Sequence, residues 1–331
     1  MKALRTSVLA NRFTRSFARR SASGIRGAGL VTGRRLTPGS GTLLLMCAPG
    51  IVMLILFHYL PLGGWLIAFF DYRPGLFLFQ TDFVGFKWFG FALSEPELPI
   101  VLRNTLVLSG LTLLTTPLPM IFAVLLSEMP SRRYRKIVQT TTTLPNFISW
   151  ILVFALFYAF FSTSDGLVNR LLLRLGLIDR AMNPLGNLAI VWPLQTGLRV
   201  WKTLGFSAIV YLASIASIDE ELYDAAAVDG ANRFQKIRYV VVPGLIPTYF
   251  TLLLLNSGNM IRLGFEQYYM FSNGLVHQRI QVLDLYLYRL GLVLQNYPLS
   301  TALSMAQSLL SIMLLMVANR LAKRVRGEYI F

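Results

Sequence analysis

Long apolar runs dominate the pattern of hydrophobic and polar positions along the chain. Residues 105–127, 137–161, 239–261 and 290–319 contain no acidic, basic or histidine side chain, and residues 43–70 contain only His58. At a rise of about 1.5 Å per residue, a helix of about 20 residues crosses the hydrocarbon core of a bilayer. The pattern therefore predicts five membrane-spanning helices.

A sixth span is predicted between residues 188 and 218, where the apolar pattern is weaker. The pattern is weaker because Arg199 and Lys202 interrupt the run. We expect a helix that begins near Trp192 and ends at about Ala216. The predicted fold class is all-α, a polytopic protein with six transmembrane helices, because a helix satisfies its own backbone polar groups inside lipid.

Composition and charge favour a membrane protein over a nucleic-acid binder. Hydrophobic residues make up 55% of the chain and charged residues 14%, whereas a soluble domain has about 25% charged residues. The net charge of +16 does not form one basic surface, since the Lys and Arg residues fall mostly at the ends of apolar runs. Twenty of them lie on the side of the two termini and nine on the opposite side, which predicts cytoplasmic termini.

The first 42 residues hold nine Lys and Arg residues and no acid. Such a tail also resembles a mitochondrial targeting peptide, and its paired arginines resemble a twin-arginine signal. An uncleaved tail is favoured, because the following apolar run is about twice as long as the core of a signal peptide. We therefore predict a basic cytoplasmic tail at residues 1–42 and a transmembrane domain at residues 43–331.

The segment at residues 217–243, between the fourth and fifth spans, says most about function. Ser217 and Glu220 have the spacing of a capping box, which predicts a short helix with an acidic first turn. Gly230 permits a sharp turn before a second helix on the cytoplasmic face, and Pro243 fits the start of the next span. A small-surfaced, acid-tipped helix suits a groove in another protein, and an amphipathic loop resting on the membrane is the alternative.

Residues 224–231, Asp-Ala-Ala-Ala-Val-Asp-Gly-Ala, resemble the EAA loop of permease subunits of binding-protein-dependent ABC importers. The usual form is Glu-Ala-Ala-x-x-Asp-Gly-Ala, and Asp224 departs from it with a side chain that has less reach toward an ATPase. Further pieces, such as Gly-Leu-Val-Asn at residues 166–169, resemble the MalF/MalG-like subgroup for oligo- and polysaccharides. The similarity covers most of residues 40–331, and an anionic chain such as alginate is one candidate substrate.

The resemblance implies the type I permease fold of ABC importers and a place in the bacterial inner membrane. It also implies a second permease subunit that is a different chain, two ATPase subunits that hold ATP and Mg, and an extracytoplasmic solute-binding protein. The short acidic helix would dock in a cleft of the ATPase. The residues to which the resemblance assigns this coupling are Glu221, Asp224, Ala225, Ala226, Asp229, Gly230, Ala231 and Pro243.

Catalytic and metal chemistry finds little support in the sequence. The chain has no Gly-x-x-x-x-Gly-Lys phosphate loop, so we expect no nucleotide cofactor on this chain. His58 and His277 lack the spacing of zinc ligands, and no nucleophile motif is present. We therefore expect neither a catalytic residue nor a metal site, which leaves a membrane enzyme as a remote alternative.

Polar and aromatic side chains within the spans are candidates for lining a translocation pathway, because polar groups are costly against lipid. The candidates are Asn146, Trp150, Trp192, Gln195, Lys202, Asn256, Asn259 and Gln307. Hydrogen bonding between helices is the alternative for the polar residues, and an interfacial belt is the alternative for the aromatic ones. Arg199 and Lys202 could attract an anionic sugar, or they could pair with Glu266 or Asp284.

A stand-alone secondary transporter or channel is the competing function. Such a carrier should contain paired broken helices or a relay of ionisable groups within the membrane. Arg199 and Lys202 are the exceptions in otherwise uncharged spans. A stand-alone carrier also has no evident use for the acid-tipped loop.

Overall fold

The computed structural model describes residues 40–326, so nearly all of the predicted basic tail lies outside the described residues. The chain divides into two units, one ending at Gly63 and the other beginning at Gly64. Within the described range the secondary structure is helical apart from one isolated bridge between Phe70 and Phe83. The all-α prediction is confirmed.

The α-helices follow one another along the chain with short connections. They are α1 (Ser40–Leu54), α2 (Lys87–Ser94), α3 (Leu98–Leu114), α4 (Pro117–Ser127), α5 (Arg132–Thr143), α6 (Trp150–Phe161), α7 (Leu167–Arg174), α8 (Val191–Ala216), α9 (Glu220–Val228), α10 (Arg233–Lys236), α11 (Val242–Gly258), α12 (Glu266–Phe271), α13 (His277–Ile280), α14 (Leu283–Tyr288) and α15 (Tyr297–Arg326). Irregular helical turns extend α1 and join α10 to α11.

Five helices in the described part of the chain are long and apolar enough to cross a membrane, and a bent helix pair gives a sixth if it counts as one span. The five are Leu45–Phe69, Leu98–Ser127, Val191–Ala216, Arg233–Gly258 and Tyr297–Arg320. The weakly patterned fourth span, α8, ends at Ala216 as predicted.

The third predicted span is not one continuous helix. Its two parts, Arg132–Phe147 and Trp150–Phe161, meet at an angle of 104°. The break follows Pro145, which lies in a 3-10 turn and supplies no backbone N–H. Ser149 then begins α6, since its hydroxyl accepts a hydrogen bond from the Leu152 N–H at 3.4 Å.

The segment at residues 262–289, which connects the fifth and sixth spans, forms part of the core. It contains α12, α13 and α14, and its side chains Tyr268, Phe271, Ile280 and Leu285 are buried. Phe271 packs edge-on against Phe154 of α6, with ring centroids 5.2 Å apart. Apolar side chains in this segment therefore hold it between the spans rather than in solvent.

The sixth span begins later than its apolar run suggests. The run starts at residue 290, but Arg289–Val293 forms a π-helical turn and Gln295 adopts a positive φ of 54°. The side-chain oxygen of Asn296 accepts a hydrogen bond from the Leu299 N–H at 3.3 Å. This bond caps the start of α15, so the turn before it is separate from the span.

Candidate functional site

Helix α9 forms the acid-tipped element expected from the sequence, but its cap is a different residue. The Asp219 carboxylate accepts a hydrogen bond from the Glu221 N–H at 3.0 Å and caps the helix. The predicted capping box of Ser217 and Glu220 is wrong, because α8 continues to Ala216 and Ser217 ends it. The Ser217 hydroxyl instead donates to the Ser214 carbonyl at 2.8 Å.

Gly230 ends α9 through its left-handed backbone, with φ of 72°. The Gly230 N–H donates to the Ala227 carbonyl at 3.1 Å, and the Ala231 N–H donates to the Ala226 carbonyl at 2.9 Å. These two bonds form a Schellman motif, which satisfies the last carbonyls of the helix. A Cβ at Gly230 would meet no atom within 4 Å, so the demand for glycine is conformational rather than steric. The predicted turn is confirmed.

The predicted second helix does not lie separately on the surface. Asn232 and Gln235 cap its start reciprocally, with bonds of 2.9 and 2.8 Å between side chain and backbone. The helix then continues from Arg233 to Gly258 as the fifth span. Pro243 lies in the first turn of α11, directly after a π-helical turn, and it supplies no backbone N–H. The second helix of the loop is therefore continuous with the span.

One face of α9 packs against the protein and the other is open. Tyr223 is half-buried against the core formed by α4, α8 and α11, and Ala226 lies on the same face. Burial and the nearby Glu128 carboxylate raise the pKa of the Tyr223 phenol, so it packs as a neutral group. The face with the predicted coupling residues Glu221, Asp224, Ala225, Asp229 and Gly230 is exposed. Val228, on the open side, is 89% exposed.

An ion pair ties the end of the loop to the second span. Arg233 Nε lies 2.5 Å from Glu128 Oε2, and an Arg233 Nη also donates to the Glu128 carbonyl. Glu128 follows α4 directly. This contact links the start of the fifth-span helix to the end of the second span.

We expect Glu128→Gln to have a small effect, because both side chains of the pair reach solvent and exposed ion pairs contribute at most about 1 kcal/mol. Uptake by the variant should stay within about threefold of wild type, since the backbone contact with Arg233 remains. Uptake in reconstituted vesicles checks this. A loss of uptake as large as the loss expected for Gly230→Val would show that the charge of Glu128 transmits movement from α9 to the second span.

A cavity of about 400 Å³ lies between the spans, bounded by α3, α4, α8 and α11. Its volume falls in the range of about 300–1,000 Å³ that is typical of ligand sites. Apolar atoms form the larger part of its wall, and serine and threonine side chains lie among them. The polar and charged residues at the cavity are Ser109, Thr112, Thr115, Thr116, Arg199, Thr203, Ser207, Tyr211, Asn256, Asn259 and Arg262.

Two of the predicted pathway residues, Asn256 and Asn259, lie at this cavity. Gln195 is buried elsewhere, where its carbonyl and side-chain oxygens accept bonds from Gln267 at 2.8 and 2.9 Å. Gln307 is also buried and donates to Asp284 Oδ1 at 2.8 Å. The geometry of these two glutamines matches the alternative in which polar residues join elements within the protein.

The two tryptophans among the predicted pathway residues also contact other parts of the chain. The centre of the Trp192 ring lies 5.8 Å from the guanidinium carbon of Arg103 and 4.8 Å from that of Arg279. Its indole N–H donates to the Arg279 carbonyl at 2.9 Å. Trp150 packs against the core around Phe271. Neither ring lines the cavity between α3, α4, α8 and α11.

Lys202 closes the break in the third span rather than pairing with Glu266 or Asp284. Its Nζ donates to the carbonyls of Pro145, Asn146 and Ile148 at 3.2, 2.8 and 2.5 Å, and it lies 5.6 Å from the centre of the Trp150 ring. The three carbonyls lie at the break, where the Pro145 carbonyl also accepts from the Ile148 N–H at 3.2 Å, and the ammonium group supplies three donors. The Asn146 contribution is thus its backbone oxygen.

Close packing brings α8 to the break. A Cβ at Gly205 would overlap the Thr142 carbonyl, so only glycine allows α8 to approach the end of α5 this closely. Lys202 lies one helical turn before Gly205 on the same helix. Because α8 lies this close to α5, the Lys202 ammonium group reaches the carbonyls at the break.

Sequence reasoning missed Arg262 as a candidate site residue. It follows the end of α11 and lines the cavity together with Arg199. Its position just beyond Asn259 could have identified it. A basic residue that lies beside two candidate amides at one end of a span adds charge to the same region.

Comparisons with known proteins give a consistent result. A family model described as "Binding-protein-dependent transport system inner membrane component" matches residues 115–327. Protein LplB of Bacillus subtilis (strain 168) is 35% identical over 290 residues, covering 87% of this chain and 91% of the relative. The polygalacturonan/rhamnogalacturonan transport system permease protein YteP of the same organism is 36% identical over 290 residues, covering 87% and 90%.

A solved structure is similar along most of the chain. It is described as a bacterial alginate ABC transporter in complex with an alginate pentasaccharide-bound periplasmic protein. The sequence identity is 33% and the TM-score is 0.79, with 88% of this chain and 96% of that chain covered. The likeness therefore extends over the spans and the loop that contains α9.

Proposed function

This chain belongs to the family of binding-protein-dependent transport system inner membrane components, and from that premise we propose that it forms half of the pathway of an ATP-driven importer for acidic oligo- or polysaccharides. It is a multi-pass inner-membrane protein and a carbohydrate permease of the ABC importer type, not an enzyme. Its substrate, its coupling to an ATPase and the identity of its partners are the parts proposed here.

The open face of α9 carries the proposal of ATPase coupling. Its acids and alanines are exposed, while Tyr223 fixes the opposite face to the core. A rigid knob with small side chains can enter a cleft without steric conflict, and Asp224 offers a charged contact. The fifth span continues from the loop without a break, so movement of α9 with the ATPase would move the span and switch access to the pathway.

The proposed assembly has four further components. A second, different permease completes the pathway, two ATPase subunits bind ATP and Mg beneath α9 and its counterpart, and a solute-binding protein delivers the saccharide outside. Both termini and α9 lie in the cytoplasm. The excess of Lys and Arg on that side supports this orientation.

The similarity to transporters of charged polysaccharides supports an acidic substrate. YteP is named for polygalacturonan and rhamnogalacturonan, and the solved neighbour is named for alginate. These polymers carry a carboxylate on their uronate units. Two arginines at the cavity, with no acid among its lining residues, fit a substrate of that charge.

Affinity purification of the tagged chain from its native membrane tests the assembly. Mild detergent should retain an ATPase, a second permease and a saccharide-binding protein, each identified by mass spectrometry. As a control, the variant Asp224→Arg should lose the ATPase and keep the second permease, because only α9 is altered. A chain that is recovered alone and moves saccharide without ATP would contradict the proposal and favour a stand-alone carrier.

A further inference from the structure

Two arginines line the cavity between α3, α4, α8 and α11. Arg199 projects from α8, about a third of the way along the fourth span, and Arg262 follows the end of α11. No aspartate or glutamate lines the cavity. The region therefore carries concentrated positive charge beside hydroxyl and amide groups.

The polar contacts of both arginines are neutral. Arg199 donates to the Leu263 carbonyl at 2.5 Å and to Gln267 Oε1 at 3.3 Å. Arg262 donates to the Ser308 hydroxyl at 2.8 Å. In the part of the chain that the structure describes, neither guanidinium has a carboxylate within 4.0 Å. Arg199 lies within a span, where an unpaired cation is costly and commonly marks a substrate pathway, and Arg262 lies just beyond the end of one.

The neutral contacts leave donor capacity on both side chains. A guanidinium has five N–H donors in a planar fork that matches the two oxygens of a carboxylate. The Arg262 side chain is exposed and lines the cavity, so it is accessible to a ligand there. Arg199 is held in place by the Leu263 carbonyl, by Gln267 and by Tyr268, whose ring centre lies 6.0 Å from the guanidinium carbon.

We propose that Arg199 and Arg262 form a carboxylate-binding subsite that selects acidic saccharides during passage through the membrane. Asn256, Asn259 and the serine and threonine hydroxyls of the wall supply partners for the sugar hydroxyls. The subsite adds selection inside the permease to any selection by the binding protein. This inference rests on the proposed function, since it concerns the substrate of the same pathway.

Binding to the complete importer in lipid nanodiscs tests the subsite without the binding protein. The probes are a uronate trisaccharide and the same trisaccharide with its carboxyl groups reduced to hydroxymethyl groups. Arg262→Gln should lower the ratio of the two affinities, acidic over neutral, about tenfold, because a charge-assisted bond to the carboxylate is lost. Arg199→Gln should change the ratio in the same direction.

A matched control separates charge from packing. Ser308→Ala removes the partner of Arg262 but keeps the guanidinium, so the affinity ratio should stay within about twofold of wild type. If Arg262→Gln lowers both affinities equally, or leaves the ratio unchanged, the subsite is excluded. The proposed function is judged separately, by ATP-dependent uptake of the uronate trisaccharide by wild type with its binding protein. Uptake with an unchanged ratio in Arg262→Gln would overturn the subsite alone.

Discussion

Gly230→Val is expected to lower ATP-driven uptake at least tenfold while the protein still inserts in the membrane. Gly230 has φ of 72°, where a residue with a Cβ costs about 1–2 kcal/mol and a β-branched one is a clear outlier. The chain would relieve the strain by opening the Schellman turn that ends α9. The open face with Asp224 would then lose its fixed orientation toward the ATPase. Uptake and ATP hydrolysis, measured together in reconstituted vesicles, report the coupling between this permease and the ATPase.

Gly176→Val is the matched control for this experiment. Gly176 ends α7 with φ of 64° and open space around a Cβ. The N–H groups of Gly176 and Leu177 donate to the carbonyls of Leu173 and Leu172, which is the same Schellman pattern. The backbone strain is therefore equal, but α7 lies outside the proposed coupling loop. Equal loss of coupling in both variants would show that strain alone explains the result.

Lys202→Met is expected to destabilise the protein by about 2–4 kcal/mol, because hydrogen bonds to a charged group are lost and buried carbonyls are left without a donor. The Lys202 side chain is 8% exposed and bonds to three carbonyls at the break in the third span. Thermal unfolding of the purified chain should shift to lower temperature. Uptake of acidic and neutral saccharides should fall in the same proportion, since the loss is structural.

Lys87→Met provides the comparison for Lys202→Met. Lys87 Nζ also lies near an indole, 5.3 Å from the centre of the Trp88 ring, but Lys87 is exposed. Its substitution should leave the unfolding temperature nearly unchanged. A selective loss of acidic saccharide in Lys202→Met, with normal stability, would assign Lys202 to substrate recognition instead.

Local sequence patterns were sufficient to predict most of the spans and the turn of the cytoplasmic loop, but not the bend of the third span. Apolar length predicted the fourth span although Arg199 and Lys202 interrupt it, because hydrophobicity summed over a span outweighs two polar side chains. The left-handed turn at Gly230 also follows from local chemistry, since few other residues adopt that conformation readily. These features depend on residues that are close together in the chain.

Features that depend on distant residues were not predictable in the same way. The partners of Lys202 are backbone carbonyls exposed by a bend, and a sequence gives no sign of a free carbonyl. Helix α9 is capped by Asp219, because α8 extends to Ala216 and is ended by Ser217. A capping pattern alone does not show where the preceding helix ends. Arg199 and Arg262 meet at one cavity although more than 60 residues separate them along the chain.

Uptake by the reconstituted assembly is the most direct test of the central claim. The chain, its second permease, the ATPase pair and the binding protein are placed in sealed vesicles with ATP inside, and a labelled uronate trisaccharide is added outside. The account predicts accumulation above the external concentration with ATP, and none with a non-hydrolysable analogue or with Gly230→Val. Equal accumulation without ATP, or by this chain alone, would contradict it.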